Sequence, residues 1–404
     1  MNVVGIAAEY NPFHAGHLYQ IERARDFVSA DAVVAVMSGN FVQRGEPAIK
    51  DKWTRTAWAL DNGVDVVLEI PTYFCLSAAS AYSFATVDML ESFGVVTHIS
   101  FGSESGDVDV LRRIAERTKT RRAELEEETS KYTALGESYP RAFSHAYSEI
   151  FGDDEETVKE TEILSNPNDI LALEYIKNLR TLEPVAIKRA GAGYNDEVIP
   201  GERFQSATGI RKGLIQGEDV SGYIPKSVVL TADDAGRFET ADDELFDLVR
   251  YAVLRGEASS MEEAPAAGEG LSNILKREIR YADSLSDLKD RLKSKRYTAT
   301  RISRMLMQIA LGIDRRDFYG AVPEYIRVLG FTERGRSLIR EAKKKGDPSK
   351  PIITNINREA GNGNESENFR KLLELDILAT DIHNAVMHRD MGKYNDMVMS
   401  PVMR

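Results

Sequence analysis

The chain has 404 residues, of which 42% are hydrophobic, so it is long enough to bury a large core and to divide into domains. Its formal net charge of −12 excludes a protein whose whole surface is positively charged, so nucleic-acid binding would require a local basic patch. A single cysteine, Cys75, excludes an internal disulfide framework and favours a reducing cytoplasm. No apolar run has the length of a membrane span or follows a basic leader, so a soluble, cytoplasmic protein is predicted.

Strand-like and helical patterns alternate along the first half of the chain, interrupted by a mostly helical insert at about 107–182. The predicted strands are Val3 to Ala8, Ala32 to Met37, Val64 to Ile70, His98 to Phe101 and Pro184 to Lys188. The predicted helices are Leu18 to Val28, Ala48 to Leu60, Ala79 to Phe93 and Val108 to Arg117. This alternation predicts an α/β fold with a Rossmann-like parallel sheet, whose ligands bind at the carboxyl ends of the strands.

The segment Asn11-Pro12-Phe13-His14-Ala15-Gly16-His17 follows the first predicted strand and opens the first predicted helix. Two histidines three residues apart project the same way, beside free backbone N–H groups and the positive end of the helix dipole. Imidazole donors aimed at an α-phosphate would stabilise the charge that develops there, and Gly16 would let a base or ribose approach the backbone. Half of a zinc site and a pair of satisfied core histidines are the alternatives.

A second phosphate signature, Gln205-Ser206-Ala207-Thr208-Gly209-Ile210-Arg211-Lys212, ends a loop and begins a helix. Ser206 or Thr208 is predicted to cap this helix, so that its backbone donors and the planar guanidinium of Arg211 face a phosphate. A capped helix with a solvated basic first turn is the alternative, and the N-terminal histidines make it the less favoured one.

Beyond about Pro225 the pattern becomes mainly helical, which predicts a second domain over 223–404 with its boundary near Gly222. The predicted elements are helices at Asp242 to Leu254, Leu271 to Tyr281, Leu285 to Lys293, Thr298 to Leu311 and Thr332 to Lys345, and an extended piece at Pro323 to Gly330. Ten Lys or Arg residues and four acidic residues lie between Lys276 and Arg304. Such a run is usually a solvated helix face, and Tyr297 within it could stack on a base or cover the core.

Two motifs carry a resemblance to known enzymes. His14 to His17 resembles the HxGH motif of class I nucleotidyltransferases and aminoacyl-tRNA synthetases, and Ser206 to Arg211 is similar to the ISSTxIR motif of the nucleotidyltransferase branch. Gln205 and Ala207 depart from that motif, which leaves Thr208 and Arg211 to carry the comparison. The absence of a KMSKS sequence argues against a synthetase.

Three further blocks, Val36 to Ala48, Lys52 to Arg55 and Lys295 to Thr298 with Arg301 and Arg304, resemble the tRNA(Met) cytidine acetate ligase family. The resemblance extends to about residue 345. It implies an HxGH nucleotidyltransferase domain over 1–222 and a mainly helical, tRNA-binding domain over 223–404. The implied activity converts acetate and ATP to acetyl-adenylate and pyrophosphate, then transfers acetyl to N4 of the wobble cytidine of elongator tRNA(Met), releasing AMP.

The resemblance also implies roles for single residues. The implied catalytic residues are His14, His17 and Arg211. The implied ATP-binding residues are Ile6, Ala7, Ala8, Glu9, Tyr10, Asn11, Pro12, Phe13, His14, Ala15, Gly16, His17, Leu18, Tyr19, Gln20, Gly102, Asn168, Arg189, Ser206 and Thr208. Candidates for the acetate or cytidine pocket are Gln43, Arg44 and Lys52, and candidates for tRNA contact are Lys293, Lys295, Arg296, Arg301 and Arg304.

Several alternatives stay open at this point. Gln43, Arg44 and Lys52 could instead form a polar loop that only closes the sheet end. No metal site is predicted, although triphosphate chemistry usually uses Mg²⁺. A small-molecule adenylyltransferase of cofactor biosynthesis would share the sheet and motifs without needing a basic helical domain, and a non-catalytic, nucleotide-dependent RNA-binding protein is the third hypothesis.

Overall fold

The computed structural model of this chain describes residues 1–137, 139–189, 204–268, 270–294, 297–359 and 365–404. Its strands are β1 (Val3–Ala8), β2 (Ala32–Ser38), β3 (Phe41–Val42), β4 (Glu46–Pro47), β5 (Val66–Ile70), β6 (His98–Ser103), β7 (Glu183–Lys188), β8 (Ile326–Phe331), β9 (Ile352–Ile353) and β10 (Val402–Met403). The helices of the first half are α1 (Ala15–Val28), α2 (Lys52–Asp61), α3 (Thr72–Cys75), α4 (Ala79–Ser92), α5 (Val108–Thr120), α6 (Arg122–Ala134), α7 (Tyr139–Phe151), α8 (Glu155–Ile163) and α9 (Pro167–Asn178). Those of the second half are α10 (Ala207–Ile215), α11 (Ala232–Arg255), α12 (Ala258–Met261), α13 (Leu271–Glu278), α14 (Leu285–Leu292), α15 (Ala299–Ala310), α16 (Glu333–Lys345), α17 (Ile356–Glu359) and α18 (Glu367–Val386).

One mixed, mostly parallel sheet organises the molecule, with the strand order β10-β8-β5-β2-β1-β6-β7 and β9 beside β8. The five strands from β5 to β7 run parallel, and β8 is antiparallel to β5. The central strands are apolar throughout because helices cover both faces of the sheet, which buries every residue of β2. The α/β fold predicted from the sequence is confirmed.

The topology predicts a ligand crevice at the carboxyl ends of β1 and β6. From β1 the chain goes to β2 and β5 on one side of the sheet, and it returns to β6 and β7 on the other. Connections that leave two adjacent parallel strands in opposite directions open a crevice between them. The loop that follows β1 and the last residues of β6 border this crevice.

Three helix starts differ from the sequence prediction for local reasons. Helix α11 begins at Ala232 rather than Asp242, because Thr231 and Asp234 form a capping box there. Helix α1 begins at Ala15, three residues earlier than predicted, because the His14 side chain serves as its N-cap. Helix α2 begins at Lys52 rather than Ala48, because the carboxylate of Asp51 accepts the N–H groups of Trp53 and Thr54. The preceding residues form β3 and β4, a two-stranded hairpin that the sequence analysis did not predict.

The C-terminal part of the chain contributes both helices and strands. The apolar faces of α11, α13, α14 and α15 pack into the same hydrophobic core as the sheet, as the predicted amphipathic helices require. The predicted extended piece is β8, which adds to the sheet beside β5 together with β10. Strands from both sides of Gly222 therefore share one sheet, and a domain boundary there stays a prediction. Within the part of the chain described, no helix is long and apolar enough to cross a membrane.

A buried network of four charged side chains joins the sheet to the C-terminal segment. The Lys52 ammonium lies 2.7 Å from Oε1 of Glu69 and 2.7 Å from Oδ1 of Asp396. Arg327, on β8, lies 3.0 Å from the other oxygen of Glu69 and also donates to Asp396. The exposed fraction of these side chains is 6% or less, so water screens the pairs weakly.

Candidate active site

His14 and His17 stack on each other at the start of α1, with ring centroids 3.7 Å apart. Nδ1 of His14 accepts the N–H of Gly16 at 3.0 Å, and Nδ1 of His17 accepts the N–H of His14 at 3.2 Å. A neutral imidazole that accepts at Nδ1 carries its proton on Nε2. Both rings therefore hold an Nε2–H donor for a ligand, and within the described chain neither Nε2 has a hydrogen-bond partner.

Both imidazoles are held in the neutral form. Burial, followed by the charges of Arg189 and Arg211, lowers the pKa of His14 to about 3. Burial, His14 and Arg189 hold the pKa of His17 well below its usual value. Neutral Nε2–H groups at the end of the sheet suit an anionic ligand whose charge increases during reaction, because they donate without exchanging a proton.

Arg211 links the second predicted signature to the loop between β1 and α1. Its Nη1 donates to the carbonyl of Asn11 at 2.6 Å, and its Nη2 lies 2.7 Å from Oε1 of Glu46. Ser206 caps α10 by accepting the N–H of Gly209 at 3.0 Å. The structure thus brings Arg211 to the histidine loop from almost two hundred residues away along the chain.

A second group of predicted residues lies at the end of β6. An added Cβ at Gly102 would be 3.5 Å from Cγ of Arg189, so the arginine side chain covers this glycine. Arg189 donates to Oδ1 of Asn168 at 3.5 Å, and Nδ2 of Asn168 donates to Glu104 at 2.6 Å. Arg189 also lowers the pKa of both histidines, so its charge lies close enough to act on the histidine pair.

The hairpin β3–β4 closes the opposite side of the crevice. The N–H of Gln43 donates to Oε1 of Glu9 at 2.9 Å, and its side-chain amide donates to the carbonyl of Ser77 at 3.4 Å. Arg44 donates to Oγ1 of Thr208 at 3.0 Å, so Thr208 holds the hairpin while Ser206 caps the helix. Gln43 and Arg44 therefore connect the end of β1 to the start of α10, and their place in an acetate or cytidine pocket stays a prediction.

Lys52 is not part of this cluster. Its three ammonium protons face Glu69 and Asp396 inside the protein, and its side chain is fully buried. An ammonium with three charged acceptors cannot also bind a substrate carboxylate without breaking that network. The geometry does not support the prediction that Lys52 lines an acetate or cytidine pocket, and it gives this residue a structural position instead.

Three residues of the site had no predicted role. Glu46 pairs with Arg211, and Glu104 holds Asn168. Arg55 is fully buried and donates to the carbonyls of Glu9, at 2.6 Å, and Ser38, at 3.1 Å, which fixes the ends of β1 and β2. Glu46 and Arg55 lie within blocks quoted for their resemblance, whereas Glu104 does not, and only the fold shows the partner of each charge.

The predicted tRNA-binding residues lie in different environments. Lys293 is exposed at the end of α14, whereas Arg301 donates from Nε to the carbonyl of Ala266 at 3.0 Å. Arg304 reaches the carbonyl of Gln43 at 3.5 Å, which connects α15 to the hairpin. Tyr297 is 5% exposed and belongs to the core. Lys295 and Arg296 lie outside the described residues.

The residues described include no group of three or more His, Cys, Asp or Glu side chains that could hold a metal ion.

Gly45 seats the hairpin against α15. Its φ is +79°, and a Cβ there would clash with the backbone of Ser303 and Arg304. We expect Gly45→Ala to lower the free energy of unfolding by about 2–4 kcal/mol, from φ strain and overpacking together. Gly217→Ala is the matched control, because Gly217 has a φ of +76° and open space around it. In urea denaturation, Gly217→Ala should lose only the free energy that corresponds to the φ strain. Equal losses of unfolding free energy in the two variants would contradict tight packing at Gly45.

Comparisons with known proteins agree over nearly the whole chain. The HIGH Nucleotidyl Transferase family model matches residues 1–396. The chain is 36% identical to a tRNA(Met) cytidine acetate ligase of Clostridium perfringens, over 100% of this chain and 99% of that protein. It is 37% identical to the protein of that name from Fervidobacterium nodosum, over 95% of this chain and 94% of that protein. A crystal structure of Thermotoga maritima TmcAL bound with alpha-thio ATP aligns with a TM-score of 0.84 at 31% identity, over 100% of this chain and 99% of that one.

Proposed function

Because the chain belongs to the tRNA(Met) cytidine acetate ligase family of HIGH nucleotidyl transferases, we propose that it acetylates N4 of the wobble cytidine of elongator tRNA(Met). Acetate and ATP are the co-substrates, and acetyl-adenylate is the intermediate. The observation that supports this proposal most is the meeting of two neutral Nε2–H donors with Arg211 at the crevice between β1 and β6. The alpha-thio ATP of the Thermotoga maritima structure is a nucleotide of the matching class.

In the first step, an acetate oxygen attacks the α-phosphorus and pyrophosphate leaves. Negative charge grows on the non-bridging oxygens, so the protein contributes donors and alignment rather than a nucleophile. We assign the Nε2–H groups of His14 and His17 to those oxygens, and the guanidinium of Arg211 to the phosphates. Arg211 is already fixed by the carbonyl of Asn11, so its orientation is set before the nucleotide binds.

The group at the end of β6 is assigned to the rest of the nucleotide. Gly102 has no side chain, which leaves its backbone to the Arg189 side chain above it, and Asn168 offers an amide whose position Glu104 fixes at 2.6 Å. Arg189 covers Gly102 and can pair with a phosphate. Together with the backbone of Ile6 to Gln20 and the capped start of α10, these residues make up the proposed ATP site.

In the second step, the cytidine amine attacks the acetyl carbonyl and AMP leaves. The base must leave its stack to reach the crevice, so we place it beside the hairpin, near Gln43 and Arg44. Arg304 on α15 contacts that hairpin, which connects the proposed pocket to the basic stretch proposed to bind tRNA. Phosphate contacts by Lys and Arg side chains would make tRNA binding weaken as salt rises.

Acetate-dependent exchange of labelled pyrophosphate into ATP tests this proposal, together with mass analysis of elongator tRNA(Met). We expect exchange with acetate and one acetyl group at the wobble cytidine. A cofactor adenylyltransferase would ignore acetate, and a non-catalytic RNA-binding protein would show no exchange. Changing Lys295 and Arg296 to Ala should spare exchange and reduce tRNA acetylation. Equal loss of both activities in a folded variant would contradict a separate tRNA-binding surface.

A further inference from the structure

The carboxylate of Glu9 is a charged group in the crevice to which the first step gives no chemical role. Glu9 directly follows β1, and Arg55 holds its backbone carbonyl at 2.6 Å. Oε1 accepts the N–H of Gln43 at 2.9 Å, which fixes the carboxylate on the hairpin. Within the described residues, Oε2 accepts no hydrogen bond, and the side chain is half-buried rather than enclosed. Glu9 therefore presents one anchored oxygen and one open oxygen.

The surroundings of Glu9 come from the hairpin β3–β4 and from five helices, α2, α3, α4, α9 and α10. The charged neighbours are Arg44 on the hairpin turn, Glu46 on β4, Arg55 on α2 and Arg211 on α10. Its other titratable neighbours are Cys75, Tyr82 and Tyr175, all buried. The two arginines nearest the crevice already have acceptors, since Arg211 bonds to Asn11 and Glu46, and Arg44 bonds to Thr208. Among the described residues, the open oxygen of Glu9 thus lies beside polar and aromatic groups and within salt-bridge distance of no Lys or Arg.

We propose that Glu9 is the proton acceptor of the acetyl-transfer step, an inference that rests on the proposed function. The lone pair of the cytidine N4 amine forms the new C–N bond to the acetyl carbon. The C–O bond to the phosphate breaks, and its electron pair leaves with AMP. One amine proton passes to Oε2 of Glu9, which later releases it to water. The histidines cannot take this role, because their Nδ1 atoms accept backbone N–H groups and their Nε2 atoms carry protons.

The electrostatics of the position agree with this geometry. Burial raises the pKa of Glu9, Arg44 lowers it, and Glu46 raises it again, with a net shift above the usual value. A carboxylate with a raised pKa is a stronger base at neutral pH than an ordinary one. The basic form is lost as pH falls through that raised pKa. As pH falls, the rate of acetyl transfer should therefore begin to drop at a higher pH than it would if the base were a glutamate with an ordinary pKa.

Single-turnover transfer from enzyme-bound acetyl-adenylate to tRNA, measured against pH, tests the inference. Glu9→Gln keeps an oxygen for the N–H of Gln43 but cannot accept a proton. We expect it to slow transfer by about 10²-fold more than it slows acetate-dependent exchange, and to remove the acid limb of the pH profile of transfer. Glu9→Asp keeps a carboxylate on a shorter side chain, so it should transfer faster than Glu9→Gln and retain an acid limb. The matched control is Glu22→Gln on the exposed face of α1, which should behave as wild type.

A purely structural role for Glu9 gives the opposite ranking. If the carboxylate only anchors the hairpin, Glu9→Gln should transfer at the wild-type rate and Glu9→Asp should be the slower variant. That ranking overturns the inference, and so does an equal loss of exchange and transfer in Glu9→Gln. Absence of acetate-dependent exchange in the wild-type protein would instead refute the proposed function itself. The two failures are therefore distinguishable.

Discussion

His14→Asn is expected to lower acetate-dependent pyrophosphate exchange by about 10²–10³-fold while leaving the protein folded. Asparagine is among the best helix N-caps, and its side-chain oxygen can accept the Gly16 N–H that Nδ1 of His14 now accepts. The variant keeps the cap but loses the Nε2–H donor and the ring that stacks on His17. Exchange rates and the urea midpoint of unfolding, measured on the same preparation, separate the loss of a donor from the loss of a cap.

The pH dependence gives this prediction a second arm. Since burial, Arg189 and Arg211 lower the pKa of His14 to about 3, its neutral donor form persists at every pH above that value. We therefore expect the pH profiles of exchange for the wild-type protein and for His14→Asn to have the same shape near pH 6.5, where His14 does not change its protonation state. His145→Asn is the control, because His145 lies on α7 with a side chain 53% exposed. Exchange within threefold of wild type in His14→Asn would contradict donation to the phosphate.

The sequence could predict the parts of this site that are local. A histidine pair after an apolar run, or a serine before Ala207, is read from a few neighbouring residues, and the structure places both at helix starts. The bond between Arg211 and Asn11 brings together two segments that each suit a phosphate, but neither segment predicts that bond. The identity of the intervening partner, Glu46, depends on the hairpin and could not be read from spacing.

Pairings between residues far apart in the chain could not be predicted from the sequence, for a physical reason. The contact of β8 with β5 joins Arg327 to Glu69 across more than two hundred and fifty residues, and period-two patterning does not encode which strand is the neighbour. The same limit misplaced Lys52. A lysine is typical of a solvent-exposed position, and only the fold reveals Asp396 beside this one.

The buried network around Lys52 leads to the second large prediction. Lys52→Met preserves the length of the side chain but leaves Glu69 and Asp396 with Arg327 as their only cation among the residues described. Removing one partner of a buried network leaves uncompensated charge, and we expect a loss of about 3–5 kcal/mol in the free energy of unfolding. Arg122→Met, which breaks an exposed pair with Glu126 on α6, should cause no measurable change.

Acid unfolding provides an independent measurement of the same network. Burial alone would raise the pKa of Asp396, but the charges of Lys52 and Arg327 outweigh burial and lower this pKa to about 2. Because this pKa lies below the usual 3.8, Asp396 stabilises the fold above about pH 4, and that stabilisation is lost as pH falls towards 2. In Lys52→Met the lowering is weaker, so acid unfolding followed by circular dichroism should begin at a higher pH. An unchanged acid midpoint would mean that Arg327 alone holds Asp396.

The same variant separates the two roles considered for Lys52. If the ammonium only joins β5 to the segment containing Asp396, Lys52→Met should keep the wild-type KM for acetate at temperatures where it stays folded. A KM raised tenfold or more, with little loss of stability, would instead place Lys52 in the acetate pocket. We expect the first result, because all three ammonium protons already have carboxylate acceptors and the side chain is 0% exposed.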